Sequence, residues 1–174
     1  MSAHIRVMLP EEELTKRIEE LGEQISKDYE GETVFIVCIL KGAAFFACEL
    51  AKRITVPVTI DFMATSSYGA GTTSSGEIIL KKELDLPVEG ENVIVVEDII
   101  DSGNTLHFLS RYFKEKNAKS VRLCTLLDKP DRRETEVKVD YSGFTIPDEF
   151  VVGYGLDYNQ KYRNLPYIGV VEFD

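Results

Sequence analysis

Val93-Ile94-Val95-Val96-Glu97-Asp98-Ile99-Ile100-Asp101-Ser102-Gly103-Asn104-Thr105-Leu106 is the stretch from which the fold can be read. Its four leading aliphatics, with no polar residue between them, suit a strand covered on both faces, and such strands are central and parallel. Glu97 and Asp98 follow at once, where the chain is expected to leave the carboxyl edge of the sheet, the edge at which open α/β sheets bind ligands. Asp101 to Thr105 then supplies short polar side chains and one glycine before Leu106, Phe108 and Leu109 begin a helical pattern. Such a turn exposes backbone N–H groups backed by the positive end of a helix dipole. A phosphate fits there, with the Ser102 and Thr105 hydroxyls as further donors.

For a single strand-turn-helix unit the plainer alternative is a helix cap beside two solvated acids. Two features weigh against it. The acids abut a run of aliphatics, where an idle carboxylate is costly. Three acids in five residues also repel one another unless a cation or ligand hydroxyls lie between them. A Walker-type phosphate loop is excluded, because the lysine of G-x-x-x-x-G-K-[ST] is missing.

Working outward, Pro10 followed by Glu11 to Glu13 opens a helix whose apolar stripe is Leu14, Ile18, Leu21 and Ile25, ending before Gly31. Thr33 to Leu40 reads as a second buried strand, then Lys41-Gly42 and a helix from Ala43 to about Ile54. Val56 to Ala64 reads as a third strand, with Asp61 inside it. Ser66 to Gly76 has no hydrophobic pattern and carries three glycines among small polar residues, the composition of a lid or binding loop, or of a plain hairpin tip. Glu77 to Lys81, Val121 to Leu127, Phe144 to Val152 and Tyr167 to Val171 complete the strands. Strands alternating with helices imply a mostly parallel central sheet flanked by helices, and its edge should gather Lys41, Glu97 to Thr105, Lys129 and Asp157.

The 174 residues suit one domain with a core of its own, 44% hydrophobic and 29% charged. No stretch has the apolar length of a membrane span and the N-terminus lacks a signal-peptide pattern, so cytoplasm is the expected compartment. Cys38, Cys48 and Cys124 lie in apolar surroundings without CxxC spacing and read as reduced core thiols. A net charge of −10 argues against nucleic acid as the main partner. A small anionic substrate would then need local positive charge or metal.

The central pattern of four aliphatics, Glu-Asp, two aliphatics and Asp-Ser-Gly-x-Thr resembles the phosphoribosyl pyrophosphate (PRPP) signature of type I phosphoribosyltransferases. The wider chain resembles the hypoxanthine-guanine phosphoribosyltransferase family at Leu40-Lys41-Gly42, Ser66-Ser67-Tyr68-Gly69, Leu127-Asp128-Lys129-Pro130, Phe150 to Tyr154, Leu156-Asp157-Tyr158 and Tyr162-Arg163, in that order. The resemblance implies a type I phosphoribosyltransferase α/β fold with a small hood formed by the terminal segments and a flexible active-site loop. It implies a purine salvage enzyme joining hypoxanthine or guanine to PRPP with Mg²⁺, acting as a homodimer or homotetramer.

Residue by residue, the resemblance implies that Glu97 and Asp98 hold the ribose hydroxyls or their metal. The turn of Asp101, Ser102, Gly103, Asn104 and Thr105 would bind the 5′-phosphate, and Asp101 would also exchange a proton with purine N7. Lys129 would donate to the exocyclic O6, Phe150 would stack on the ring and the Val151 backbone would read its edge. Asp157 would lie beside the purine and bind a second Mg²⁺. Lys41, Gly42 and Arg163 would hold pyrophosphate, and Ser67 and Tyr68 would close over the site. Asn104 departs from family members that carry lysine there, with a modest effect expected because backbone amides do most of the phosphate binding. Rival readings are a PRPP-sensing regulator, for which this acidic chain has no basic face, a phospho-acceptor receiver domain, whose acid pair would follow the first strand, and a xanthine-preferring phosphoribosyltransferase.

Overall fold

The computed structural model describes residues 2–67 and 77–174. Its main sheet has six strands: β2 (Val34–Leu40), β3 (Val58–Ser67), β4 (Ile78–Lys82), β5 (Asn92–Ile100), β6 (Ser120–Asp128) and β7 (Tyr141–Thr145). They lie in the order β4-β3-β2-β5-β6-β7, parallel throughout except for the β3/β4 pair. β2 and β5 occupy the centre, as their unbroken aliphatic runs require, and β2 is buried from Val34 to Ile39.

Successive side chains of these strands point to opposite faces and meet two different helix layers. Ile36, Cys38, Ile94 and Val96 pack beneath α1 (Glu11–Asp28) and α2 (Ala44–Lys52), whose Leu14, Ile18, Leu21, Phe46 and Leu50 are fully buried. Phe35, Val37, Val93 and Val95 pack beneath α3 (Asn104–Glu115) through Leu106, Leu109 and Phe113. Gly22 is the one break in the α1 stripe, and it is needed because a Cβ there would lie 2.5 Å from Arg53 Cβ. No described helix is long and apolar enough to cross a membrane.

A second, antiparallel sheet joins β1 (Ala3–Leu9), β9 (Ile168–Phe173) and β8 (Val151–Val152) in the order β1-β9-β8. It is the expected hood of terminal segments, and its Val151, Ile168 and Val170 share the α1/α2 core.

Four expectations are corrected. Cys48 is exposed, not in the core with Cys38 and Cys124, because Phe46, Ala47 and Leu50 carry the buried face of α2. Ser66 and Ser67, expected to open the loop, continue β3 and pair with Ile79 and Ile78 of β4. Phe144 to Val152 is not one strand: β7 stops at Thr145, Pro147 has no N–H for a ladder, and the chain crosses to the hood before β8 begins. Glu97 and Asp98 do not follow the central strand but lie within it. Ile99 and Ile100 continue the pairing with Leu127 and Asp128 of β6, so β5 leaves the sheet only at Asp101.

Candidate active site

The carboxyl ends of β2, β5 and β6 carry the candidate site. Because β5 runs on past them, Glu97 and Asp98 are held by strand backbone, and Glu97 is only 9% exposed. Burial drives both carboxyls toward their neutral forms, Glu97 well above its ordinary range, with the Asp98 charge adding to the effect. For Asp98 the Glu97 carboxyl, the Ile99 N–H and the Arg163 charge offset only part of the rise. Two adjacent carboxyls so buried disfavour a double charge, which makes the corner receptive to a cation or to ligand hydroxyls. The alternative of solvated acids at a loop edge does not hold.

The turn from Asp101 to Thr105 borders a cavity of about 260 Å³ that Glu97 also lines. Gly103, at φ +87°, is the N-cap of α3, and no side chain caps the helix, so its first amides stay available to a ligand. The Asn104 N–H alone meets a side-chain oxygen, Ser102 Oγ at 3.2 Å. The helix-cap alternative therefore fails for Asp101, which stands exposed at the mouth of the turn, whereas Ser102 does take the first amide of α3.

Lys129 follows β6 and begins the one-turn 3-10 helix Pro130–Arg132. Its N–H donates to Ile100 O at 3.0 Å, which ties it to the end of β5 beside Asp101. Although cationic, Lys129 is only 9% exposed. Its Nζ lies 3.8 Å from Asp148 Oδ1, while Arg132 approaches the other Asp148 oxygen at 3.5 Å. The ammonium is thus held electrostatically and keeps its donors free of direct hydrogen bonds among the described residues.

Phe150 is half-exposed, set edge-on against Tyr158 with ring centroids 5.6 Å apart, and Tyr158 in turn meets Phe173 at 5.6 Å. Val171 N–H donates to Phe150 O at 2.9 Å, so 150/171 is a hydrogen-bonded pair of the antiparallel ladder. Val151 and Val170 are then a non-bonded pair, and the Val151 N–H and C=O point out of the open edge of the hood. That edge can read a flat heterocycle with both a donor and an acceptor.

Lys41, Gly42, Asp157 and Arg163 gather on the Asp98 side of the acid pair. A Cβ on Gly42 would run into the Asp98 carboxylate, and one on Gly155, at φ +102°, would run into Gly42 O. Only glycines allow this three-layer contact. Arg163 Nη1 donates to Gly155 O at 2.6 Å and lies 3.5 Å from Asp157 through Nη2. The Leu40–Lys41 peptide is cis.

Asp157 faces Arg163, and its carboxylate also accepts the Gln160 N–H at 2.8 Å. Among the described residues, no three His, Cys, Asp or Glu side chains gather as a metal cluster. Tyr68, the loop 68–76 and the Ser67 side chain, expected to close over the site, lie outside the described residues.

Two participants escaped sequence reasoning. Gln160 bridges the two cations, its Oε1 accepting from Lys41 Nζ at 3.5 Å and Arg163 Nη2 at 3.2 Å. Asp148 partners Lys129. Both are polar residues in loops, and only the fold brings them to the site.

A twisted, mostly parallel sheet with an acid pair and an amide-lined turn at its carboxyl edge defines the class, and the model of the phosphoribosyl transferase domain matches residues 8–159. The chain belongs to that family. Within it the chain stands with the hypoxanthine-guanine phosphoribosyltransferases. It is 47% identical over 167 residues to the one from Streptococcus thermophilus, covering 96% of this chain and 93% of the relative. A crystal structure of a hypoxanthine-guanine phosphoribosyltransferase from Bacillus anthracis superposes with a TM-score of 0.93 at 49% identity, over 97% of this chain and all of that one. The chain is also 52% identical over 167 residues to the bifunctional protein TilS/HprT of Listeria monocytogenes, spanning 96% of its own length and 26% of that relative.

Proposed function

We propose that the protein transfers the 5-phosphoribosyl group of PRPP to N9 of hypoxanthine or guanine, releasing pyrophosphate, as a purine salvage enzyme. The observation that carries this reading is the seating of Lys129. A buried, donor-only ammonium is fixed by its own backbone to the end of β5, beside the phosphate-type turn, and by Asp148 to the segment that leads into Phe150 and Val151. An ammonium there favours a 6-oxo group and leaves a 6-amino group unsatisfied.

In this reading the amides of residues 101–105, with Ser102 and Thr105, hold the 5′-phosphate. Glu97 and Asp98 hold the ribose hydroxyls. Phe150 stacks on the base while the Val151 backbone reads its edge. Asp101, exposed at the turn, exchanges the proton at N7. Loss of pyrophosphate leaves positive charge on the ribosyl carbon and negative charge on the leaving group, which Arg163 and Lys41 neutralise. The segment 68–76, with Ser67 at the end of β3 and Tyr68, is assigned the exclusion of water from the reacting centre.

Magnesium fits the residues present. Glu97 and Asp98 offer hard oxygen donors with burial that leaves their charge unmatched, and Mg²⁺ is commonly held by one or two carboxylates with the rest of its shell from substrate and water. Asp157 would hold a second ion. Bound Mg²⁺ supplies charge neutralisation of the pyrophosphate and orientation of the ribose hydroxyls. We assign the chain to one domain, residues 1–174, working in the cytoplasm as a homodimer or homotetramer.

An absorbance assay with PRPP, Mg²⁺ and each nucleobase in turn tests the substrate class. Turnover of hypoxanthine and guanine is expected, and turnover of adenine or uracil alone overturns it.

A further inference from the structure

Residues 133–135, which none of the roles above uses, lie directly behind the phosphate turn. Glu134 N–H and Thr135 N–H both donate to Ser102 O at 2.9 Å. Arg133 Nε donates to Asp101 O at 3.2 Å, and its Nη2 pairs with the carboxylate of Asp128, the residue before Lys129. Thr135 Oγ1 donates to Asn104 Oδ1, and Asn104 Nδ2 donates to Glu134 Oε2 at 3.3 Å. The fit is close enough that a Cβ on Gly103 would lie 2.7 Å from Thr135 O and 3.0 Å from Arg133 Cδ.

Three consecutive residues thus hydrogen-bond to Asp101, Ser102 and Asn104 and leave no room for a side chain at Gly103. A turn whose amides must converge on one anion loses binding strength if it has to be ordered as the anion arrives. The brace holds it ordered in advance. It also explains what Asn104 does: both ends of its side-chain amide are committed to the brace, so the side chain holds the turn rather than a ligand.

We infer that Arg133, Glu134 and Thr135 are positioning residues for the phosphate end of the substrate, holding the turn through Asn104, Ser102 and Asp101. The inference rests on the reading of residues 101–105 as the phosphate site.

Thr135→Val keeps the side chain's shape and both backbone hydrogen bonds while removing the hydroxyl. PRPP affinity, measured by calorimetry, should fall about three- to tenfold, the value of one hydrogen bond. KM for hypoxanthine should stay unchanged, Thr135→Ser should restore PRPP binding, and in an Asn104→Ala background Thr135→Val should add nothing, because its partner is gone. Unchanged PRPP affinity in Thr135→Val, or losses that add in the double variant, overturns the brace while leaving the phosphate turn intact. A wild-type protein that melts cooperatively yet gives no heat with PRPP overturns the phosphate turn itself, and the brace with it.

Discussion

Replacing Lys129 by glutamine tests the assignment of base specificity most sharply. The ammonium is 9% exposed and has Asp148 as its charge partner at 3.8 Å, so its donors meet the substrate with little competition from water. A hydrogen bond from a charged donor in such a place contributes about 1.5–3 kcal/mol. Lys129→Gln should therefore lower kcat/KM for hypoxanthine and guanine by about 10- to 150-fold. A glutamine amide both donates and accepts, so the exclusion of a 6-amino base should weaken, and the ratio of 6-oxo to 6-amino turnover should fall further than the 6-oxo rate alone. Stability should change by only about 1 kcal/mol, since Arg132 stays 3.5 Å from the Asp148 carboxylate that Lys129 leaves behind. Steady-state kinetics with hypoxanthine, guanine and adenine, beside a melting curve, provide the readout. An equal loss for all three bases, or no loss for the 6-oxo pair, refutes the role given to Lys129.

Three more outcomes are expected. Asp101→Asn should leave the PRPP dissociation constant within about twofold while kcat falls about 100- to 10,000-fold, the range for loss of a general acid or base; unchanged kcat in single-turnover kinetics removes Asp101 from proton transfer. Gly42→Ala drives a methyl group into the Asp98 carboxylate and should cost about 1–3 kcal/mol of stability as well as raise KM for PRPP; a melting temperature and KM like those of the parent contradict the close contact. Glu97 has a folded pKa above its unfolded one, so its ionisation destabilises the fold progressively as pH rises through and beyond the ordinary carboxylate range. Glu97→Gln in the presence of a chelator should therefore melt higher than the parent at neutral pH, with the gain shrinking as pH falls toward that range; a gain independent of pH contradicts the burial effect.

The centre of the molecule is legible in its residues because period and burial say the same thing there. Val93 to Val96 and Val34 to Ile39 are apolar without interruption and become the two central strands, and the stripe from Leu14 to Ile25 becomes the buried face of α1. The acid pair and the turn at Asp101 stand out for the converse reason, since charge placed against such a run has no structural use. What escapes is non-local. β1 and β9 pair across almost the whole chain, from Ala3 to Phe173, and no period in either strand names its partner. The position of Glu97 and Asp98 within β5 depends on β6 continuing beside it to Asp128. Gln160 reaches Lys41 and Arg163 from a loop in which Gln160 and Tyr162 adopt positive φ, a conformation their residue types do not announce. Asp148 and the brace at residues 133–135 are ordinary polar loop residues until the fold sets them against Lys129 and Asn104.

Everything assigned to the base, the leaving group and the brace depends on the acid corner and its turn gripping PRPP. Titration calorimetry of the protein with PRPP and Mg²⁺, repeated with Glu97→Gln/Asp98→Asn, measures that grip without any base present. The expected result is saturable heat at one site per chain that the double variant loses while still folding. A flat trace for the parent protein, or equal binding by both, would contradict it.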